Sequence, residues 1–413
     1  EEMEPLFRAV YHGCAAGKHQ ETFGNVYWKR IERGENYYNI RQLGAFGSDL
    51  GAVACFFEKY WDRPAAGLSE QRKALVLNFA GFCLRAVGRL REATEPTEVS
   101  LELYIGQEKW EFAAIVAGNL SELYLTLGEV EKAVEYGRRG VEYADKSGNE
   151  FERMGKRTTL ADALFQAGEI EEAKGLFGEA EEMQKERQPE YGYLYSLQGY
   201  KYCDLLLALG EYEEVKERIK KCFEWRLPSD SLLGIALEDL SLGKAWLAEA
   251  ASKTKEQKSN IKIAEKYLNE AVDGLRKAGQ QDDLPRGLLA RAGCYRVAAK
   301  WGKGKTGSPT EEPKEQQSRT RARGDLEEAR EIAERGEMKL FQADYHLESA
   351  RVCLAQAEDR SQKTEVRISK EKEGGKNAKW HYEEAKRLIG SCGYRRRDEE
   401  LKDIEGRTPK RGK

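Results

Sequence analysis

Apolar residues recur along most of the chain at the three- and four-residue spacing that lines one face of an α-helix, and short polar turns interrupt them. Four of these turns share one pattern: Val87-Gly88-Arg89-Leu90-Arg91-Glu92-Ala93, Leu127-Gly128-Glu129-Val130-Glu131-Lys132-Ala133, Ala167-Gly168-Glu169-Ile170-Glu171-Glu172-Ala173 and Leu209-Gly210-Glu211-Tyr212-Glu213-Glu214-Val215. Their glycines stand at 88, 128, 168 and 210, in steps of 40, 40 and 42 residues. A glycine that closes one helix can take a left-handed conformation at low cost, and the acidic residues that follow suit the positive end of the next helix. The pattern therefore predicts helical hairpins repeated in series.

Small residues recur seven positions before each turn glycine, at Gly81, Ser121, Ala161 and Cys203, and an alanine follows five positions after three of the glycines. Small side chains there let neighbouring helices approach closely. In the third unit Phe177 and Ala180 also fall where the tetratricopeptide repeat (TPR) carries an aromatic and a second small residue. The register resembles that repeat, although its usual unit is about 34 residues; the longer step predicts helices extended by a turn or so. The predicted fold class is all-α, a right-handed superhelical solenoid of about nine TPR-like hairpins with a period of about 40 residues.

Weaker units flank the four. Upstream, Ala16-Gly17-Lys18-His19-Gln20 is expected to form one turn and Phe46-Gly47-Ser48-Asp49 another. Downstream, pairs are expected between 232–250 and 261–277, 283–301 and 325–335, and 339–357 and 378–389, with Asp283 as an N-cap and Pro285 in the first turn. Residues 1–400 form one solenoid in this reading, with polar insertions at 302–324 and 359–376 expected to be mobile loops and a charged tail at 401–413 expected to fray. The chain begins Glu1-Glu2-Met3 and enters an amphipathic helix almost at once, which predicts that it is part of a longer protein.

Charge is abundant but balanced: Lys+Arg 69 against Asp+Glu 72 leaves a formal −3, which favours neither nucleic acid nor an anionic membrane as partner. Eight cysteines are scattered without a Cys-x-x-Cys pair, so a reducing, cytoplasmic setting and no structural metal are expected. No apolar run has membrane-spanning length. Gly304-Lys305-Thr306 lacks the glycine a phosphate-binding loop needs five residues earlier, where Ala299 stands, so no nucleotide site is predicted there. The histidines at 12, 19, 346 and 381 are far apart and paired with no nucleophile, and a solenoid separates distant repeats; no catalytic constellation and no cofactor is expected.

The site candidates come from stacking. The residue after each small position, on the inner helix, is Phe82, Glu122, Asp162 and Asp204, with Lys244 next by weaker alignment. Three carboxylates on successive rungs repel one another unless they are partnered, so a cationic ligand segment would suit them. Asn78, Arg85, Thr158, Phe165 and Tyr200 are placed on the same inner face. The alternative is a solvated inner face with no ligand there. In the first segment Tyr27, Trp28, Tyr37, Tyr38, Phe46, Phe56, Phe57, Tyr60 and Trp61 are expected to be mostly core, with a subset available to dock a preceding domain.

Several stretches, among them Glu4-Pro-Leu-Phe-Arg-Ala-Val-Tyr-His-Gly13, Ala117-Gly-Asn-Leu-Ser-Glu-Leu-Tyr-Leu-Thr-Leu-Gly128, Gly279-Gln-Gln-Asp-Asp-Leu-Pro-Arg-Gly-Leu-Leu-Ala-Arg291 and Glu328-Ala-Arg-Glu-Ile-Ala-Glu-Arg335, resemble the C-terminal TPR regions of bacterial STAND ATPases of the NACHT or NB-ARC type. The resemblance implies a sensor: a repeat region that captures a protein or peptide, or holds its own upstream ATPase domain in cis, and releases autoinhibition when its ligand arrives, often in antiphage defence. Any ATPase or effector activity would then lie outside these residues. A stand-alone scaffold joining two proteins is the alternative. An ATPase motif encoded upstream would favour the first, and a start codon near Met3 the second.

Overall fold

The computed structural model describes residues 3–252, 257–300, 314–362 and 377–407. It is an all-α solenoid. Seven helical pairs follow in order: α3 (Glu70–Ala86) with α4 (Leu90–Gly106), α5 (Trp110–Leu127) with α6 (Val130–Ser147), α7 (Glu150–Ala167) with α8 (Ile170–Arg187), α9 (Ser196–Leu209) with α10 (Tyr212–Trp225), α11 (Leu232–Ala251) with α12 (Gln257–Ala278), α13 (Leu284–Ala299) with α14 (Lys314–Arg335), and α15 (Lys339–Gln362) with α16 (Ala378–Cys392). Ahead of them lie α1 (Glu4–Ala15), a π-helical segment at Phe23–Ile31, α2 (Phe46–Ala54) and a two-stranded antiparallel pair, β1 (Phe57–Lys59) and β2 (Arg63–Pro64). A last helix, α17 (Asp398–Arg407), follows α16. No helix among the described residues is long and apolar enough to cross a membrane.

The repeat rests on its corners. Gly88, Gly128, Gly168 and Gly210 all have φ between 82° and 87°, a left-handed conformation that a Cβ would strain. At each corner the amide after the glycine donates to the carbonyl five residues back, at 2.8 to 2.9 Å (Arg89 to Leu84, Glu129 to Tyr124, Glu169 to Leu164, Glu211 to Leu206). This Schellman closure satisfies carbonyls that a helix end leaves open. The small residues Ser121, Ala161 and Cys203 are at most 1 % exposed, and Ser121 Oγ donates to Ala133 O of the antiparallel partner at 2.7 Å, so the helices touch nearly backbone to backbone. Larger side chains fill the intervals; each fully buried Leu or Phe, such as Leu120 or Phe177, contributes about 1.5–3 kcal/mol.

The solenoid also curls back on itself. The turn between α12 and α13 meets the α3–α4 corner, where Gln281 N donates to Ala86 O at 2.6 Å. There a Cβ on Gly279 would lie 2.3 Å from Gly44 O. Further along, Lys339 and Cys392 press on Gly128, and Val130 shares an apolar cluster with Leu340, Ile389 and Tyr394. Repeats about 200 residues apart in sequence therefore touch, which corrects the expectation that a solenoid keeps distant repeats apart: superhelical curvature brings one row of corners against another.

Other expectations are corrected locally. Phe46-Gly47-Ser48-Asp49 opens α2 rather than forming a turn, and the bend precedes it. Residues 314–324, expected in a loop, are the first half of α14. They are rich in helix formers, Glu315 pairs with Arg319 at 2.7 Å one turn on, and Ala322 is buried. The remainder of that insertion, with Gly304-Lys305-Thr306, lies outside the described residues, as do 408–413 and, of the second expected loop at 359–376, residues 363–376; its first residues, 359–362, instead continue α15. Asp283 precedes α13 but makes no capping bond; its carboxylate pairs with Arg286 at 2.9 Å instead. Of the expected tail, residues 401–407 belong to α17, with Ile404 fully buried.

Most of the early aromatic residues are core. Tyr27 and Phe56 are fully buried against Phe23 and Phe79, whereas Tyr60 remains 68 % exposed. Within this core Asp49 accepts from Tyr27 Oη at 2.8 Å, Asn39 Nδ2 at 3.1 Å and Cys83 Sγ at 3.3 Å. Fully buried Glu32 lies beside it. Burial and the neighbouring carboxylate raise the pKa of Glu32, and burial raises that of Asp49, so the pair holds a proton at neutral pH.

Candidate functional site: the inner groove

The first helices of successive pairs pack side by side, and α3, α5, α7, α9 and α11 all contribute residues to one inner cavity. Asn78 on α3 accepts from Asn119 Nδ2 on α5 at 3.0 Å, a bond between neighbouring rungs. Phe82 packs against Phe46, with ring centres 5.9 Å apart. Thr158 is turned away from the groove; it is 1 % exposed and its hydroxyl donates to Gly155 O at 2.8 Å within its own helix.

The aligned carboxylates are not left unpartnered. Glu122 accepts from Arg85 Nη1 at 2.8 Å and from Lys201 Nζ at 2.5 Å. Lys201 also reaches Thr159 Oγ1 at 3.2 Å. Burial alone would raise the Glu122 pKa, but the two cations outweigh it and hold the carboxyl well below its usual range. Asp204 is held low in the same way, by Arg396 and Lys244 against burial. Asp162 accepts from the amide of Gln166 at 2.7 Å and has no direct ion pair among the described residues, and burial pushes its pKa up.

The groove thus has two differently furnished ends. Toward α3, a cavity of about 110 Å³ is lined by Phe82, Arg85, Glu122, Asp162, Tyr200 and Lys201 together with the incoming turn that carries Gln280, Asp282, Asp283 and Arg286. Arg85 bridges rungs and turn, donating to Asp282 Oδ2 at 2.6 Å as well as to Glu122. Arg286 Nη1 donates to Tyr200 Oη at 3.3 Å. Toward α9, the segment after α16 delivers Arg396 into the groove. Its guanidinium lies 4.2 Å from the centre of the Phe165 ring, donates to Gln166 Oε1 at 3.1 Å and pairs with Asp204. Arg397 is anchored by Asp344 at 2.8 Å, and Tyr394 Oη by the same carboxylate at 3.2 Å.

The sequence did not single out Lys201, which stands on α9 beside Tyr200, nor the groups that arrive from outside the rungs: Gln280, Asp282, Arg286 and Arg396, with Asp283 expected only as a helix cap. The signals were present in Asp282-Asp283 before a proline-started helix and in the triplet Arg395-Arg396-Arg397, yet nothing local assigns either to the groove. The histidines hold a further surprise. His346 on α15 and His381 on α16 meet at 3.0 Å between their Nδ1 atoms, beside Trp380 and Tyr345. No group of three or more metal-ligating side chains occurs among the described residues. The cysteines are free, and burial pushes the Cys14, Cys203 and Cys294 thiols up to about 12, leaving them as small apolar side chains.

No family model matches the chain, and no curated protein matches it. Among solved structures, the crystal structure of Rap protein complexed with competence and sporulation factor aligns over 98 % of this chain and 99 % of that one, at 12 % identity and a TM-score of 0.34.

Proposed function

We propose that the inner groove binds an extended protein or peptide segment bearing basic side chains, and that the chain is the ligand-sensing repeat region of a STAND-type signalling protein. Arg396 is the observation that carries the binding reading. A guanidinium set on an aromatic face and against a buried carboxylate is a favourable environment for arginine, and here it is filled from residues remote in sequence rather than by the rungs themselves. A partner's arginine fits the same surroundings. Its arrival would displace Arg396, loosen the segment from Tyr394 through α17, and so convert capture into a change at a distant surface, as release of autoinhibition requires.

The signalling half of the reading rests on the sequence resemblance and is tested separately: a nucleotide-binding motif encoded upstream supports it, and a start codon near Met3 favours the scaffold alternative. The groove is assigned no reaction of its own. Binding is tested by panning a random decapeptide library on the immobilised protein. Selected peptides are expected to be enriched in arginine and lysine and to lose at least tenfold in affinity for Asp204→Asn, about 1.4 kcal/mol. Selection without a basic preference contradicts the proposal.

A further inference from the structure

The cavity toward α3 differs from the rest of the groove in what it leaves unpaired. Gln280 Oε1, Asp282 Oδ1 and Arg286 Nε are buried without a hydrogen-bond partner, and all three residues line this one cavity. Each charged member is held by its other atoms: Asp282 Oδ2 accepts from Arg85 Nε at 2.6 Å, and Arg286 Nη2 pairs with Asp283 Oδ1 at 2.9 Å. Asp282 as a whole is only 3 % exposed. Buried polar atoms without partners are costly and uncommon. Three of them on residues that line one cavity, two on side chains held by ion pairs, form a set of two acceptors and one donor.

The charges indicate the complement. The lining carries the carboxyls of Glu122, Asp162, Asp282 and Asp283 against the cations Arg85, Lys201 and Arg286, an excess of one acidic group. A ligand that matches both counts has a cationic group with several donors next to one acceptor. A primary ammonium beside a carbonyl has that pattern, whereas a lysine side chain carries the ammonium without the carbonyl. The volume of about 110 Å³ suits a residue with a small side chain, which would rest on Phe82, Leu197 and Leu233.

We propose that this cavity receives the free amino terminus of a peptide. Its ammonium donates to Asp282 Oδ1 and Gln280 Oε1, and its first carbonyl oxygen accepts from Arg286 Nε. The inference rests on reading the groove as a peptide channel and fixes the direction in which the peptide enters: amino end at α3, basic side chains toward Asp204.

The test titrates the full chain with alaninamide and, in parallel, N-acetylalaninamide, by calorimetry and ligand-observed NMR. Alaninamide is expected to bind in the millimolar range, at least tenfold more tightly than the acetylated probe, and to weaken at least fivefold in Gln280→Leu, a variant that breaks no ion pair. Arg286→Lys, which keeps the charge but removes Nε, is expected to weaken it as well. Equal binding of both probes, indifference to both substitutions, or no binding at about 20 mM, well above the dissociation constant such a small probe should have, overturns the proposal. The two readings fail differently. An amino-acetylated arginine peptide that still binds and still needs Asp204 leaves the channel standing without its amine site, and loss of both kinds of binding removes the channel too.

Discussion

The two ends of the groove are built from the same repeat and reach opposite states. At the α9 end the carboxylate of Asp204 is saturated by Lys244 and by Arg396, which arrives from the far end of the chain. At the α3 end, Arg85 and Lys201 saturate Glu122, but the turn that closes over it leaves three buried polar atoms unpaired on residues that line the cavity. A stacked repeat therefore supplies a row of equivalent positions and leaves their chemistry to whatever segment the superhelix brings against each one. One rung is plugged and the other is poised.

Removing a carboxylate should separate the two ends most sharply. Glu122→Leu takes from the buried Lys201 its carboxylate, leaving it the hydroxyl of Thr159, and takes from Arg85 one of two carboxylates, and is expected to cost about 3–5 kcal/mol in urea unfolding. Asp204→Asn leaves Arg396 its contacts with Phe165 and Gln166, and Lys244 is a quarter exposed, so about 2 kcal/mol is expected. Equal costs would erase the contrast. Arg396→Ala comes next, at about 1–2 kcal/mol. It should speed amide exchange across 394–407 while exchange in α3 stays unchanged.

The ends should also respond oppositely to pH. The Asp204 and Glu122 pKa values lie below their unfolded values, so the stability these groups supply is present above about pH 4 and lost as pH falls below it. The pKa of Asp282 is pushed up by burial to about 6 despite Arg85, so its contribution has the reverse sign: full below the unfolded value near 4 and lost as pH rises through about 6. Protection from exchange, relative to the intrinsic rate at each pH, is expected to fall at the 279–286 turn between pH 5 and 7 while that around Asp204 holds steady. Glu32, also raised, weakens the N-terminal core as pH rises; the measurement is cleaner in Glu32→Gln, whose own gain in melting temperature over the parent should be larger at pH 8 than at pH 5. The smallest effect is expected for Gln280→Leu, which removes an unpaired acceptor and should leave stability within about 0.5 kcal/mol.

What could be read from the sequence follows from range. Corners, helix lengths and the inner rungs depend on contacts within a hairpin or between neighbours, and a glycine every forty residues exposes them directly. The N-terminal segment escaped because its π-helical run and short strand pair have no period to detect. The groove's furnishings escaped for a different reason: Arg85 to Asp282 and Arg396 to Asp204 span about 200 residues, and superhelical pitch, not local pattern, decides which pairs meet. The charged tail at 401–413 was therefore expected to fray, although 401–407 belong to α17, and the arginine triplet just before it was assigned no role. Arg396 and Arg397 find carboxylates remote in sequence, Asp204 and Asp344, that no local pattern indicates.

The contact between Arg396 and Asp204 across the groove is central to both the plugged end and the proposed release. A double-mutant cycle with Arg396→Ala and Asp204→Asn, read by equilibrium unfolding, is expected to give a coupling energy of about 1–3 kcal/mol. Additive effects, with coupling near zero, would mean that the C-terminal segment does not occupy the groove.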